Sequence, residues 1–388
     1  MTTRRIVHVT DVSIGGVAAL VRCFVEAQSA MGDEPVVLSP DPVPGLPADV
    51  HVPWGFHRRK TSTWLPARNE LRRICQQTGV DIVHLHAFFA GQLGRVPGRP
   101  SAGPGVVYQP HSWNFAAARD PVSLAALRVL ERHASRHTDL VATNCLDELA
   151  EGRRHGIGVP ARSLGLPVDL GYFRPPTPPE RQAVRAELGV DPRTVVCVGS
   201  LCWQKGQDRL VEAWERAPLP QARLVLVGGG TGPWLRRTDI AALRRLAPTQ
   251  WGQSISAVGH VGDVRPWVWA ADVLVQASRY EAQGLALCEA LACGLPAVTF
   301  AVNGANAVIE DGPERPAGAV VQQHDVDGLL AAVRRRLDDD PLREAEGAAA
   351  RHRAERLFRP HDVMTRLDSA YREAMLLQNR RFSTRRDW

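Results

Sequence analysis

A chain of 388 residues exceeds one ordinary hydrophobic core, since domains hold roughly 150 residues each, and it reads as two. With 44% apolar and 23% charged residues the composition is globular, and no run nears the roughly 20 apolar residues of a membrane-spanning helix, which excludes a transmembrane protein. The formal charge of +6 suits anionic partners; the arginines are nevertheless spread along the chain without a helix-turn-helix, zinc or stacked-aromatic motif, which argues against nucleic acid.

MTTRR passes straight into an apolar strand at Ile6–Thr10, with no export signal, so a cytoplasmic location is expected. Strand and helix patterns then alternate: RIVHVT and helix 17–31, PVVLS and helix 65–78, DIVHLH, GVVYQ and helix 121–136, LVAT and helix 145–155. Such alternation predicts βαβ units and a parallel sheet. LPVDLGYFRPPTPPE follows, and its prolines, Pro167, Pro175, Pro176, Pro178 and Pro179, read as a linker. Alternation resumes with TVVCVGS and helix 206–216, ARLVLVGGG, helix 264–271, DVLVQAS, helix 284–293, PAVTF and AGAVVQ. Helical patterns over 325–337, 341–357 and 360–378 close the chain. The expected domains are 1–172 and 180–359, with 360–388 packing back on the first. Two doubly wound domains of this α/β class are expected to face a central cleft at the carboxyl ends of their strands, where such folds bind ligands.

The seven cysteines are odd in number and scattered, which suits free thiols in a reducing compartment. Cys288 and Cys293 match no zinc or disulfide spacing, and packing explains them better.

Two constellations carry chemistry. In VGSLCWQKGQDRLVEAW a strand ends at Gly199 and Lys205–Gly206 opens a helix, where unpaired N–H groups, the positive dipole end and the ammonium suit a phosphate. Lys205 and Lys60 are the only lysines among 47 basic residues. In SRYEAQGLALCEALACGLPAVTF, Glu281 falls in the loop and Glu289 in the following helix. Carboxylates so placed accept paired hydrogen bonds from vicinal hydroxyls, while first-turn N–H groups at Gly284 and Leu285 face phosphates. The plainer readings make Glu281 a helix-start charge, Glu289 a solvated residue and Leu285, Leu287, Leu291 and Pro296 core.

Glu281-x7-Glu289 followed by ALACGLPAV, with GSLxxxKGxD upstream, resembles the retaining family 4 glycosyltransferases of the GT-B fold. The resemblance implies transfer of a sugar from a nucleoside diphosphate to an acceptor with retention at the anomeric carbon. It implies Glu289 on the donor ribose, Glu281 on the donor sugar, Lys205 on the diphosphate, and Gly259, His260 and Val261 along the base. Ser200 stands where the family has a second phosphate-binding arginine; Arg279 or another arginine is the expected substitute. Gly15 and Gly16, after the first strand, match the glycine-rich donor and acceptor loop, without the GxGxxG of a nicotinamide site. His111 in VVYQPHSWNF matches a histidine near the reacting centre. His84 and His86 are read as alternating across their strand, so that at most one faces the cleft.

No cofactor and no metal are expected. Asp338–Asp340 looks like a metal-binding DxD, yet its place between two late helices suits capping. The donor expected is a UDP-sugar, with GDP- and TDP-sugars as alternatives; the acceptor is a glycan, a lipid-linked saccharide or a small molecule. Departure of the phosphate would be met by Lys205 and helix N-termini, without a required cation, and the departing phosphate would take the acceptor's proton. The stretch 57–73, HRRKTSTWLPARNELRR, is a solvated loop or a peripheral contact with the inner membrane face, and the tail from Arg380 reads as a disordered basic end. The competing functions are a GT-B sugar-nucleotide epimerase or phosphorylase and a catalytically degenerate nucleotide-sugar-binding subunit.

Overall fold

The protein is described by a computed structural model covering residues 3–77, 79–95, 103–230, 239–312 and 315–383, without the side chains of 74–77 and 381–383. The chain forms two compact units, Met1–Pro167 with His361–Trp388, and Val168–Pro360.

The first unit holds β1 (Arg5–Thr10), α1 (Gly16–Ala30), β2 (Glu34–Ser39), β3 (His51–Pro53), α2 (Trp64–Gln77), β4 (Ile82–His86), α3 (Ala87–Gly94), β5 (Gly105–Gln109), α4 (Pro121–Ser135), β6 (Leu140–Thr143), α5 (Leu146–Arg154) and β7 (Ala161–Ser163). All its strand pairs are parallel, in the order β3-β2-β1-β4-β5-β6-β7. The sequence places β1 residue for residue, because IVHVT is a run of strand formers buried on both faces, as a central parallel strand must be. The edge strands β3 and β7 are three residues each, too short to carry a period.

The second unit begins with α6 (Pro178–Leu188) and continues through β8 (Thr194–Val198), α7 (Gln207–Arg216), β9 (Arg223–Val227), α8 (Ile240–Leu246), β10 (Ile255–Gly259), α9 (Arg265–Ala270), β11 (Val273–Gln276), α10 (Leu285–Ala292), β12 (Ala297–Phe300), α11 (Ala305–Ile309), β13 (Gly318–Val321), α12 (Val326–Asp338) and α13 (Asp340–Leu357). Its sheet is also parallel, ordered β10-β9-β8-β11-β12-β13. Trp214, Phe300, Leu210 and Val275 are among the buried residues of its core.

Three expectations change here. Pro178 and Pro179 do not extend a linker; they open α6, where a missing N–H costs nothing, and Thr177 and Glu180 close a capping box around them. The boundary falls at Pro167/Val168, because Val168 N donates to Phe358 O and Arg351 Nη1 to the carbonyls of Leu170 and Phe173, tying this segment to the second unit. The basic tail is not disordered from Arg380: α14 (Pro360–Ser383) continues past it, and residues 384–388 lie outside those described.

Helix α14 belongs to the first unit. Arg4 Nη1 reaches Asp368 at 2.6 Å, Arg366 Nε donates to Leu164 O at 2.6 Å, and Tyr371 is buried. Asp339 caps α13 by accepting from Leu342 N, and Asp338 pairs with Arg193. Cys145, Cys197, Cys202, Cys288 and Cys293 are buried free thiols, and the side chain of Cys75 lies outside those described. In the 57–73 stretch, Arg58 is held by Asp11 at 2.5 Å and Trp64 packs against Phe56 and Phe89. Among the described residues no helix is long and apolar enough to cross a membrane.

Candidate active site

In the second unit the residues singled out by sequence gather in the loops after β8, β10 and β11. After β8, a short turn at Trp203–Lys205 leads into Gly206, whose φ of 69° is left-handed and whose Cβ, if present, would lie 2.0 Å from Ala277 O. Only glycine lets α7 start so near the end of β11. That approach carries Lys205 to Glu281: Nζ lies 2.5 Å from Oε1, and the Ser278 hydroxyl donates to the same oxygen at 2.7 Å. Burial works against the Lys205 charge, but the Glu281 carboxylate outweighs it and holds the ammonium above its ordinary pKa. An ammonium has three donors, so Lys205 keeps N–H groups beyond the one on Glu281.

The two loops are joined by backbone as well. Arg279 N donates to Gln204 O at 2.7 Å, and Gln204 Nε2 donates to Tyr280 O at 3.2 Å. Arg279 itself, the expected substitute for the arginine missing at Ser200, is closed as a fork on Asp208 at 2.8 and 2.7 Å and stacks over Trp203. Its charge is neutralised on the spot. Arg209, on α7, also turns inward, with Nε and Nη2 on Ala277 O.

Glu289 sits in the second turn of α10, half-buried, and its carboxylate makes no hydrogen bond among the described residues. Burial, and then the negative charge of Asp263, push its pKa up to about 8. Asp263 is in turn held by Arg265, which donates its N–H at 2.8 Å and Nη2 at 3.2 Å. Gly284, with φ 85°, precedes Leu285 at the start of α10. Gly259 ends β10 with φ 77°, its carbonyl accepting from Gly228 N at 2.8 Å, and Val261 follows half-exposed. The glycine turn runs into 231–238, outside the described residues.

In the first unit, Gly16 begins α1 and is exposed beside Gly15. His111 follows β5 with φ 53° and Ser112 with φ 91°, two consecutive left-handed residues that are not glycine. Such backbone persists only where its surroundings force it. Here Glu148, buried at the start of α5, accepts from Ser112 N at 2.6 Å and Asn144 N at 2.7 Å, and its carbonyl takes the Trp113 indole N–H. Burial lifts the Glu148 carboxyl to about 7, against those backbone donors.

His84 and His86 do not alternate across β4. Residues two apart share a face, and their rings stand 4.0 Å apart. Opposite them on β1 is His8, in register with His84. His86 Nδ1 lies 2.9 Å from His111 Nε2, and His86 Nε2 lies 2.9 Å from His8 Nδ1. The expectation caught the pair and missed His8, Gln28, Tyr371 and Glu148; the period-two pattern of strands β1 and β4 was the signal that could have found His8. The ligand atoms of His8, His84 and His86 lie within 4.8 Å of one another, close enough for a shared metal, but all except His84 Nε2 already have hydrogen-bond partners. Burial keeps these rings neutral, lowering His8 to about 4 and His111 to about 3, with His84 and His86 well below normal.

Residues 14–170 match the family described as Glycosyltransferase Family 4, and 192–339 match Glycosyl transferases group 1. A D-inositol 3-phosphate glycosyltransferase of Xylanimonas cellulosilytica is 31% identical over 359 residues, 86% of this chain and 82% of the relative. The chain belongs to glycosyltransferase family 4. A GDP-mannose-dependent mannosyltransferase of Corynebacterium glutamicum, acting on a monoacylated phosphatidylinositol monomannoside, is 33% identical over 48% of the chain and 50% of its own length. In fold, this family 4 glycosyltransferase is similar to the sucrose-phosphate synthase of Thermosynechococcus elongatus, with TM-score 0.80 and 24% identity over 95% of this chain and 98% of that one. It is also similar to Anabaena HepE in complex with UDP-glucose, with TM-score 0.75 and 17% identity over 94% and 98%. The expected GT-B class, two Rossmann-like parallel-sheet units, is therefore the fold.

Proposed function

We propose that this glycosyltransferase takes its sugar from a nucleoside diphosphate held by the second unit, and transfers it with retention of configuration. The observation that carries the reading is the pair of carboxylates after β11, one pinned and one free. Glu281 is fixed by Lys205 and Ser278, so it orients donor-sugar hydroxyls with its remaining oxygen and is poorly placed as a nucleophile. Glu289, with no internal partner, accepts the two ribose hydroxyls. The unused N–H donors of Lys205 and the first-turn amides of α10 meet the charge that grows on the departing diphosphate. That oxygen then takes the acceptor's proton. Gly259 and Val261 line the base, and His111 serves turnover.

UDP is the first base to test, supported by the UDP-glucose held by the similar HepE, with GDP next because of the GDP-mannose used by the Corynebacterium relative. D-inositol 3-phosphate, named for the Xylanimonas relative, is the first acceptor. The buried free thiols support a reducing, cytoplasmic setting. The alternative, a subunit that binds nucleotide without turnover, draws support from Ser200 and from the closure of Arg279 on Asp208.

Differential scanning fluorimetry against UDP, GDP, TDP and their sugar conjugates tests the donor, since a ligand bound only by the native state raises the melting temperature. One base should give a shift that Glu289→Ala abolishes. No shift with any of them removes the reading; a shift without sugar release in the presence of acceptor selects the inactive subunit.

A further inference from the structure

We propose that Gln28 on α1 and Tyr371 on α14 are positioning residues that set the tautomer of His111, through a hydrogen-bond chain in which His111, His86 and His8 each donate toward Gln28.

The contacts lie within the first unit, and their polarity follows from donor and acceptor types once the Gln28 amide is oriented. Gln28 Oε1 lies 2.8 Å from His8 Nε2, and an amide oxygen accepts only, so that nitrogen carries the proton. His8 is neutral, so its Nδ1 must accept, and His86 Nε2 donates to it at 2.9 Å. By the same step His86 Nδ1 accepts from His111 Nε2 at 2.9 Å. In the other direction Gln28 Nε2 donates to the Tyr371 hydroxyl at 3.2 Å, and that hydroxyl is left to donate to His84 Nδ1 at 2.8 Å. His84 Nε2 then carries a proton toward Gln109, whose amide favours the protonated ring although the two fall short of hydrogen-bond geometry. Gln109 Nε2 in turn donates to Asn144 Oδ1 at 2.7 Å.

The direction therefore rests on which end of the Gln28 amide faces His8, an orientation that is decided by the network as a whole. Turning the amide over would reverse every link from His111 to His84 and, with Gln109 Nε2 still on Asn144, would aim the lone pair of His84 Nε2 at the Gln109 amide oxygen, acceptor against acceptor. With the chain set this way, His111 uses Nε2–H on His86, and its Nδ1, which has no partner among the described residues, is left as an acceptor. An acceptor there engages a hydroxyl, whereas the other tautomer would offer a donor to a phosphate. The consequence for turnover rests on the reading of His111 as a site residue; the tautomer itself does not.

The test is 15N NMR of the full chain labelled at histidine, near pH 7.5, with kcat and donor KM measured on the same samples. His8, His86 and His111 should all show the Nε2–H pattern. Gln28→Met, which keeps the length and removes both hydrogen-bonding ends, should leave His111 as a mixture of tautomers and lower kcat about tenfold or more with donor KM unchanged. Tyr371→Phe, which frees the amide to turn, should give a smaller change of the same kind and serves where Gln28→Met does not fold. A wild-type His111 in the Nδ1–H form, or a His111 spectrum indifferent to both substitutions, overturns the proposal. A spectrum that switches while kcat stays constant supports the chain and removes His111 from the reaction.

Discussion

Glu289 carries a charge problem that ligand binding can solve. With its pKa near 8, raised by burial and Asp263, the carboxyl is mostly protonated at neutral pH. In the proposed ribose contact two hydroxyl donors favour the carboxylate, so nucleotide binding there expels the proton. Affinity should therefore rise with pH, by up to about tenfold per unit below pH 8, and level off above it. Titration calorimetry in buffers of different ionisation enthalpy should show close to one proton released near pH 7, and Glu289→Gln should abolish both the release and the pH slope. A flat affinity in the native protein would remove Glu289 from the ribose. The sequence could name this residue because its family spacing to Glu281 survives in the primary structure. It could not show that Arg279 is closed on Asp208, because that contact joins residues 71 positions apart.

Among elements, the turn after β5 shows how one helix start secures a strained backbone. Glu148 at the start of α5 is fully buried and is the acceptor for Ser112 N and Asn144 N. Glu148→Ala leaves those two donors without partners and should destabilise the first unit by about 2–4 kcal/mol, read from urea unfolding. It should also lower turnover while the thermal shift with nucleotide persists, because the donor contacts proposed above lie in the second unit. Loss of the shift as well would separate the strained turn from any such role. Glu148 was not legible because an acidic residue in a first helical turn ordinarily serves the dipole from the surface. The α6 prolines misled for a related reason: a proline forbidden inside a helix is favoured at its first position, and only the Thr177 cap tells the two apart. Strands such as β1 and β8 were legible because burial on both faces writes a continuous apolar run.

For the molecule as a whole, the buried histidines set an acid limit. His8, His84 and His86 are fully buried and held neutral, and His111 is half-buried and likewise depressed. Their folded pKa values lie below the unfolded value near 6.5, so below that pH the unfolded chain binds protons the native state refuses. Stability is thus whole above about pH 6.5 and falls as the pH drops toward 4, by up to about 1.4 kcal/mol per unit for each fully buried ring. Urea midpoints at pH 7.5, 6 and 5 should decline steeply, and His8→Gln should flatten the decline. A constant midpoint would mean that these rings are charged in the native protein.

The return of α14 to the first unit has a consequence for how the protein is made. Tyr371 completes the core around Gln28 and His84, yet it is synthesised after every residue of Val168–Pro360. Domains usually mature in the order in which they leave the ribosome. In this chain the second unit has all its parts first, and the N-terminal one waits, unfinished, for α14 to be released.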